Sequence, residues 1–245
     1  MKVIVTNSYD ETCAVIANMI KELVNAKPDA KLGLATGGTP VPIYKKLIEM
    51  NKAGEVDFSR VHTVNLDEYC GIPGTHDQSY RYFMDTNLFD HINIDKKNTF
   101  VASGMGDFEA NARELEEKVR EGGAADLQLL GIGNNGHIAF NEASDHLIAV
   151  AHTEKLTEST INANARFFEK KEDVPTMAIT MGMGDILAAK KVVLAATGLA
   201  KVPAIKGLVM DDVSTTQNPS TMLKMHEDAV VVIDRELADA VGYRA

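Results

Sequence analysis

The sequence has few cysteines and no long hydrophobic segment. Only Cys13 and Cys70 occur among its 245 residues, and they do not form a Cys-x-x-Cys pair, so a disulfide-stabilised fold is excluded. This usage is typical of a reducing compartment, and we expect a cytoplasmic protein. The opening apolar run, residues 1–5, reaches polar residues too soon for a signal peptide. No apolar stretch of about 18 residues follows, so neither export nor a membrane partner is predicted.

Positive charge is also scarce. The chain carries 25 Lys and Arg against 35 Asp and Glu, a formal net charge of -10, which repels a nucleic-acid backbone and predicts no nucleic-acid partner. Its 45% hydrophobic and 24% charged content is that of a globular protein and excludes disordered, collagen-like and coiled-coil chains. No linker rich in Pro, Ser or Gly interrupts it, so we predict a single domain over residues 1–245.

Short apolar strands alternate with amphipathic helices along the chain. The first unit is a strand at residues 3–5, followed by Ser8 and Glu11 in the spacing of a helix-capping box. Further strands are predicted at residues 32–35, 61–66, 127–132, 176–180, 191–196 and 229–233, and helices through Tyr44 and Leu47 and over residues 107–120, 202–210 and 236–241. This alternation indicates an α/β protein with a mostly parallel sheet covered by helices on both faces.

Residues 154–173 differ from this alternation because they are polar and weakly periodic. They carry Lys155, Arg166, Lys170 and Lys171. Such a segment predicts a surface loop or a mobile lid over a site. A solvated charged face explains the same composition.

A glycine-rich turn follows the strand predicted at residues 32–35. Ligands of parallel α/β sheets bind beyond the carboxyl ends of the strands. The adjacent Gly37 and Gly38 let backbone N–H groups turn toward an anion, and Thr36 and Thr39 add hydroxyl donors. The turn lacks the lysine of a Walker A loop, which favours a monophosphate over a nucleotide. An ordinary strand-to-helix turn is the alternative.

Two neighbouring carboxylates, Asp67 and Glu68, follow the next strand. Because the side chains of adjacent extended residues point in opposite directions, at most one of them faces a site while the other pairs or caps. Either could be a general base. A helix cap or a solvent-exposed charge is the alternative without a catalytic role.

A second glycine-rich loop, after the strand predicted at residues 127–132, contains a histidine. It includes the letters G-x-G-x-x-G, but the helix start after Gly136 is weak, whereas a dinucleotide site requires a helix opening there. His137, held by Glu142 and Asn135, could instead take a proton from one oxygen and return it to another. A hydrogen-bonded loop histidine is the alternative.

Neither a metal nor a cofactor is predicted. The remaining histidines do not pair with another ligand at the spacing of a metal motif: His62, His76, His91, His146, His152 and His226. Cys70 lacks a partner base in the sequence, so we predict a small packed side chain there.

Four segments together resemble the glucosamine-6-phosphate deaminases, the sugar-phosphate isomerase-deaminases of amino-sugar catabolism. They are residues 33–40, 65–69, 133–142 and 164–168. The resemblance extends over nearly the whole chain. It implies a Rossmann-like three-layer α/β/α fold, shared with 6-phosphogluconolactonases and with the sugar-binding domains of some transcriptional regulators. It also implies the conversion of glucosamine 6-phosphate and water to fructose 6-phosphate and ammonia.

The resemblance also assigns roles to individual residues. It implies a substrate-phosphate site at Thr36, Gly37, Gly38, Thr39, Arg166 and Lys201. It implies that Asp67 is the enolisation base and that His137 opens the sugar ring with support from Glu142 and position 135. Many members have Asp at position 135; we expect Asn135 to change the surroundings of His137 more than the reaction.

Two departures from the family pattern bear on assembly and on the lid. Residues 143–145 read Ala-Ser-Asp where a Pro-Gly turn is usual after Glu142, and the chain ends soon after Val241. The longer C-terminal region of the allosterically activated hexameric members is thus missing, and we expect an unregulated monomer.

Two rival functions share parts of this pattern. A 6-phosphogluconolactonase usually has Gly-Pro-Asp-Gly-His-Thr-Ala-Ser in the histidine loop, where this chain continues with Ile-Ala-Phe-Asn-Glu over residues 138–142. A sugar-phosphate sensor could keep the glycine turn without Asp67 and His137, but it would normally carry a basic DNA-binding module.

Overall fold

The computed structural model describes residues 1–244, so the last residue of the predicted domain, Ala245, lies outside the described residues. The strands are β1 Lys2–Thr6, β2 Lys31–Leu34, β3 His62–Asn65, β4 Asp67–Tyr69, β5 Thr99–Phe100, β6 Leu127–Leu130, β7 His152–Lys155, β8 Met177–Thr180, β9 Val192–Ala196 and β10 Ala229–Asp234. The α-helices are α1 Tyr9–Ala26, α2 Val41–Lys52, α3 Tyr80–Asn87, α4 Phe108–Arg120, α5 Glu158–Asn164, α6 Met183–Leu187, α7 Val202–Val209 and α8 Arg235–Val241. Within residues 1–244, no helix is both long and apolar enough to cross a membrane.

A seven-stranded parallel sheet forms the centre of the molecule. Its strand order is β1-β10-β9-β6-β2-β3-β5. Strands β9 and β10 are nearly continuous apolar runs, as expected for strands that are buried on both faces. Helix α1 packs on α2, and α7 packs on α8. The structure therefore confirms the α/β class and the mostly parallel central sheet.

The direction in which strands are added reverses at the β2–β6 pair. From β2 the chain proceeds outward through β3 to β5, and from β6 it proceeds through β9 to β10 on the other side. Ligands of open α/β sheets bind at such a switch point, beyond the carboxyl ends of the strands. The loops after β2, β3, β6 and β9 therefore lie side by side, and we call this row of loops the carboxyl edge.

A second, antiparallel sheet has the order β4-β8-β7. The strand predicted at residues 176–180 exists, but it belongs to this small sheet and not to the parallel one. Sequence patterning missed β7 because His-Thr-Glu-Lys is polar and half-buried, without an apolar alternation. The sheet has its own small core of Tyr69, Phe140, Leu156 and Ala178.

The polar segment at residues 154–173 is folded. It begins within β7, continues as α5 and ends in two 3₁₀ turns, Ala165–Phe167 and Lys171–Asp173. Thr157 caps α5 at its N-terminus, where the Thr157 hydroxyl accepts a hydrogen bond from the Thr160 N–H at 3.2 Å. The segment is therefore a largely exposed stretch with short helical turns, and its movement as a lid stays a prediction.

Candidate active site

The turn after β2 has the backbone that an anion-binding loop needs. Gly37 has φ +95°, and open space lies where a Cβ would stand at Gly37 and at Gly38. Two tyrosine side chains hold the backbone of the turn in place. The Tyr9 hydroxyl donates to the carbonyl oxygen of Thr39 at 2.9 Å. The Tyr44 hydroxyl donates to the carbonyl oxygen of Ala35 at 2.5 Å. These bonds hold an exposed glycine turn at the start of α2.

Arg166 and Lys201 come together from distant parts of the chain. Arg166 lies in the first 3₁₀ turn after α5, and Lys201 precedes α7 in the loop after β9. Burial, and after it the positive charge of Arg166, lower the pKa of Lys201. Two cations that repel each other at one place are stabilised by an anion, so this pair is suited to a phosphate.

Asp67 and Glu68 have different surroundings, as the alternation of side chains predicts. Glu68 caps α3 and is buried. Its carboxylate accepts hydrogen bonds from the Ser79 hydroxyl at 2.7 Å and from the N–H groups of Tyr69, Tyr80 and Arg81 at 2.8, 2.9 and 3.0 Å. Asp67 is also buried, and burial together with the neighbouring charge of Glu68 raises its pKa to about 8. Asp67 can therefore exchange a proton near neutral pH.

His137, Asn135 and Glu142 contact one another in the loop after β6. Nδ1 of His137 lies 3.4 Å from Oε2 of Glu142, and the backbone N–H of His137 donates to Oδ1 of Asn135 at 3.2 Å. The Asn135 amide donates in turn to Glu142 at 2.9 Å. Burial alone would raise the pKa of Glu142, but His137, Thr160 and Asn135 lower it to about 2. A carboxylate is thus held beside the imidazole at neutral pH.

The histidine loop does not have the geometry of a dinucleotide fingerprint. It turns back on itself through a bridge between Ile138 and Asn141, and no helix opens at Gly136. Gly133 packs against the imidazole, because a Cβ there would lie 2.3 Å from the His137 ring. Ala139 has φ +53°, a left-handed conformation that is strained for alanine. The loop is shaped around His137 and not around a pyrophosphate.

Thr180 on β8 joins the carboxylate strand to the histidine loop. Asp67 on β4 is the register partner of Thr180. The Thr180 hydroxyl accepts a hydrogen bond from the Phe140 N–H at 3.2 Å, and the Asn141 amide donates to the carbonyl oxygen of Met181 at 2.9 Å. The small sheet thereby brings Asp67 and the His137 loop to one place on the carboxyl edge.

Sequence reasoning missed the groups that α5 and its flanks contribute. The hydroxyl groups of Thr157, at 3.4 Å, and of Thr160 donate to Oε1 of Glu142. The Asn164 amide donates to the Tyr69 hydroxyl at 2.8 Å. Asn164 stands in one of the segments that carry the family resemblance, but no role was predicted for it. Nothing in the sequence near the two threonines signals their partner, because Glu142 is distant along the chain.

The residues beyond the switch point of the sheet form one group that is suited to an anion and another that is suited to acid–base chemistry. These features define an α/β enzyme that acts on small anionic substrates. The family model described as glucosamine-6-phosphate isomerases/6-phosphogluconolactonase matches residues 6–232. The chain belongs to this family.

Individual relatives are similar over their full length. A glucosamine-6-phosphate deaminase of Clostridium beijerinckii is 52% identical over 242 residues, which cover 98% of this chain and 100% of the relative. One of Shewanella woodyi is 47% identical, covering 100% of this chain and 92% of the relative. A solved structure described as a monomeric glucosamine-6-phosphate deaminase has a TM-score of 0.94 at 39% identity and covers 98% of this chain and 100% of its own. A 6-phosphogluconolactonase from Thermotoga maritima, covering 96% of this chain and 99% of its own, shares the fold, with a TM-score of 0.75 at 20% identity.

Proposed function

We propose that this protein converts glucosamine 6-phosphate and water to fructose 6-phosphate and ammonia in amino-sugar catabolism. The observation that carries the proposal is the attachment of Asp67 and of the His137 loop to the same residue, Thr180. One proton-transfer group for carbon and one for oxygen are what this reaction requires. The 52% identical deaminase of Clostridium beijerinckii supports the same substrate.

The phosphate of the substrate binds to the turn at residues 36–39 together with Arg166 and Lys201. The chain as a whole carries a net charge of -10, so its overall field does not attract an anionic sugar. Affinity therefore comes from backbone N–H groups and from these two cations at close range. Burial and, after it, the charge of Arg166 lower the pKa of Lys201, and binding of a dianion relieves the repulsion between these two cations.

His137 opens the sugar ring. The substrate binds as a cyclic hemiacetal, so a base must remove the proton from O1 while an acid protonates the ring oxygen. A single imidazole can perform both transfers in turn. The Glu142 carboxylate beside Nδ1, at 3.4 Å, orients the ring and stabilises its charged form, and the Asn135 amide holds Glu142 in place.

Asp67 then acts on the open-chain sugar. Its ionised carboxylate removes the proton from C2 and returns it to C1, while a proton passes from the amino nitrogen to O1. This leaves a hydroxyl group on C1 and a neutral imine at C2. Water adds to the imine, and ammonia leaves to give the ketose phosphate. A carboxyl group with its pKa raised to about 8 is a much stronger base than a solvent-exposed aspartate, as removal of a proton from carbon demands.

Release of ammonia from glucosamine 6-phosphate tests the proposal. Wild-type protein should release ammonia, whereas Asp67→Asn and His137→Gln should lose at least about a hundredfold in kcat, the scale of one general acid–base group. Asp77→Asn is the matched control, because Asp77 is a solvent-exposed aspartate ten positions away, and it should keep wild-type turnover. A wild-type protein that hydrolyses 6-phosphogluconolactone and releases no ammonia would overturn the proposal.

We further propose that the enzyme is a cytoplasmic monomer. The monomeric solved relative, with a TM-score of 0.94 over 98% of this chain, supports one chain as the working unit. Cys13 and Cys70 are both buried thiols without a disulfide, which suits a reducing compartment. Light scattering during gel filtration should give the mass of one chain at micromolar concentration, and a dimer mass would contradict the monomer.

A further inference from the structure

The side chain of Asn218 is held between two glycines of different segments. A Cβ on Gly136, in the histidine loop, would lie 1.9 Å from its Oδ1, and a Cβ on Gly207, in α7, would lie 2.8 Å from its Nδ2. No other residue type at either glycine would leave Asn218 where it is. The two backbones thus approach the same amide from opposite sides.

Hydrogen bonds fix the orientation of this amide. Its Nδ2 donates to the carbonyl oxygen of Ala204 in the first turn of α7 at 2.9 Å. Its Oδ1 accepts from the Ser220 hydroxyl at 2.6 Å, and the Ser220 N–H donates to the carbonyl oxygen of Gly136 at 2.8 Å. Both ends of the amide are therefore occupied, one toward α7 and one toward the histidine loop.

The segment around Asn218 is also attached to the far end of the histidine loop. The Gln217 side chain donates to the carbonyl oxygen of Ser144 at 2.8 Å, and the Ser144 N–H donates to the carbonyl oxygen of Thr216 at 3.3 Å. The histidine loop, residues 133–144, is thus hydrogen-bonded to residues 216–220 at two places, at Gly136 and at Ser144. On the other side, α7 begins directly after Lys201.

We propose that Asn218 is a positioning residue that sets the distance between His137 and the phosphate site at Lys201. The inference rests on the proposed function, in which one substrate molecule must reach both places at once. The phosphate of the sugar is on C6, and the atoms that His137 serves are at the other end of the molecule. A shift of one end against the other by about 1 Å is enough to lower turnover strongly, even where each end remains intact.

Replacing Asn218 should change the distance between His137 and the phosphate site at Lys201. Asn218→Ala removes both hydrogen bonds, and Asn218→Asp keeps the size of the side chain but cannot donate to Ala204. In both variants we expect kcat for glucosamine 6-phosphate to fall at least about tenfold. Inorganic phosphate should still inhibit competitively with a constant within about twofold of wild type, because Lys201 and Arg166 are unchanged.

The Gly207→Ala variant distinguishes an effect on the position of the Asn218 amide from an effect on the stability of the fold. The added methyl group favours the helix and at the same time displaces the Asn218 amide. The melting temperature should therefore stay equal or rise while kcat falls. Asn25→Ala is the matched control, since Asn25 donates from its side chain to a backbone carbonyl, that of Glu55, at 3.0 Å far from the site; it should keep kcat.

The outcomes are distinguishable. Unchanged kcat in Asn218→Asp and Gly207→Ala would overturn the inference, as would a loss of phosphate inhibition and of melting temperature in parallel with kcat. A wild-type protein that releases no ammonia would instead remove the proposed function and this inference with it.

Discussion

Two adjacent carboxyl groups, those of Asp67 and Glu68, have opposite surroundings at the residue scale. Burial raises the pKa of Glu68, but four donors surround its carboxylate and favour the ionised form. Asp67 is buried next to that charge without such donors, and its pKa rises to about 8. A structural carboxylate thus adjusts the proton affinity of its neighbour.

The pH dependence of turnover should report the raised pKa of Asp67. Since Asp67 must be ionised to take a proton, kcat/KM should rise about tenfold per pH unit below about 8 and level off above it. The groups that contribute charge or hydrogen bonds around it are Glu68, Tyr69 and Tyr80. Initial rates of ammonia release from pH 6 to 9 measure the profile. A profile that is already flat from pH 6 would contradict a raised pKa.

At the element scale, α5 contributes the Thr160 hydroxyl group to the acid–base end, beside that of Thr157, the residue that caps the helix. The Thr160 hydroxyl donates to Oε1 of Glu142 in a fully buried contact. Helix α5 lies in the polar segment predicted as a lid, so this segment helps to hold the Glu142 carboxylate.

Thr160→Val should therefore impair catalysis with little change of shape. Loss of the donor leaves the buried Glu142 less stabilised as an anion, so its pKa should rise from about 2, and the free energy of unfolding should fall by about 1–3 kcal/mol. We expect kcat to fall several-fold. Thr160→Ser, which keeps the hydroxyl, is the control; equal kcat in the valine and serine variants would exclude this role for the hydrogen bond.

The elements that the sequence predicted are those whose signals are local. Ser8 caps α1, with the Glu11 N–H donating to its hydroxyl at 3.2 Å, and Asp107 caps α4 in the same way. Side-chain alternation alone also predicted that one of Asp67 and Glu68 pairs or caps, and the structure shows that this is Glu68. The small antiparallel sheet could not be predicted in this way, because β7 is polar and its partner strand β8 lies elsewhere in the chain. Asn218 could not be predicted, since its contacts with Gly136 and Gly207 exist only after three segments have met.

At the scale of the whole molecule, a buried carboxylate secures the edge of the parallel sheet opposite to the site. Asp126, just before β6, accepts from Lys27 at the end of α1 at 2.6 Å and from Lys190 just before β9 at 2.8 Å. It also accepts from the N–H of Lys31, the first residue of β2, at 2.8 Å. Burial alone would raise its pKa, but these donors lower it to about 2.

Asp126→Asn should make the whole fold less stable without touching the site. Its folded-state pKa is below the ordinary value, so the stabilisation is present above pH 4 and is lost as the pH falls toward about 2. At pH 7 we expect the free energy of unfolding to drop by about 2 kcal/mol, and the gap to wild type to close in acid. Urea titrations at pH 7 and pH 3 measure both. A gap that is equal at the two pH values would contradict the assignment.

The pairing of β4 with β8 also has a consequence for biosynthesis. Thr180 leaves the ribosome more than a hundred residues after Asp67, its partner in the antiparallel sheet. A nascent chain can therefore pair β2 with β3 well before any catalytic centre exists, whereas β1 must wait for β10, beside which it lies in the sheet. A polypeptide truncated before β8 would be inert toward amino sugars in the cell, however well its first half had folded.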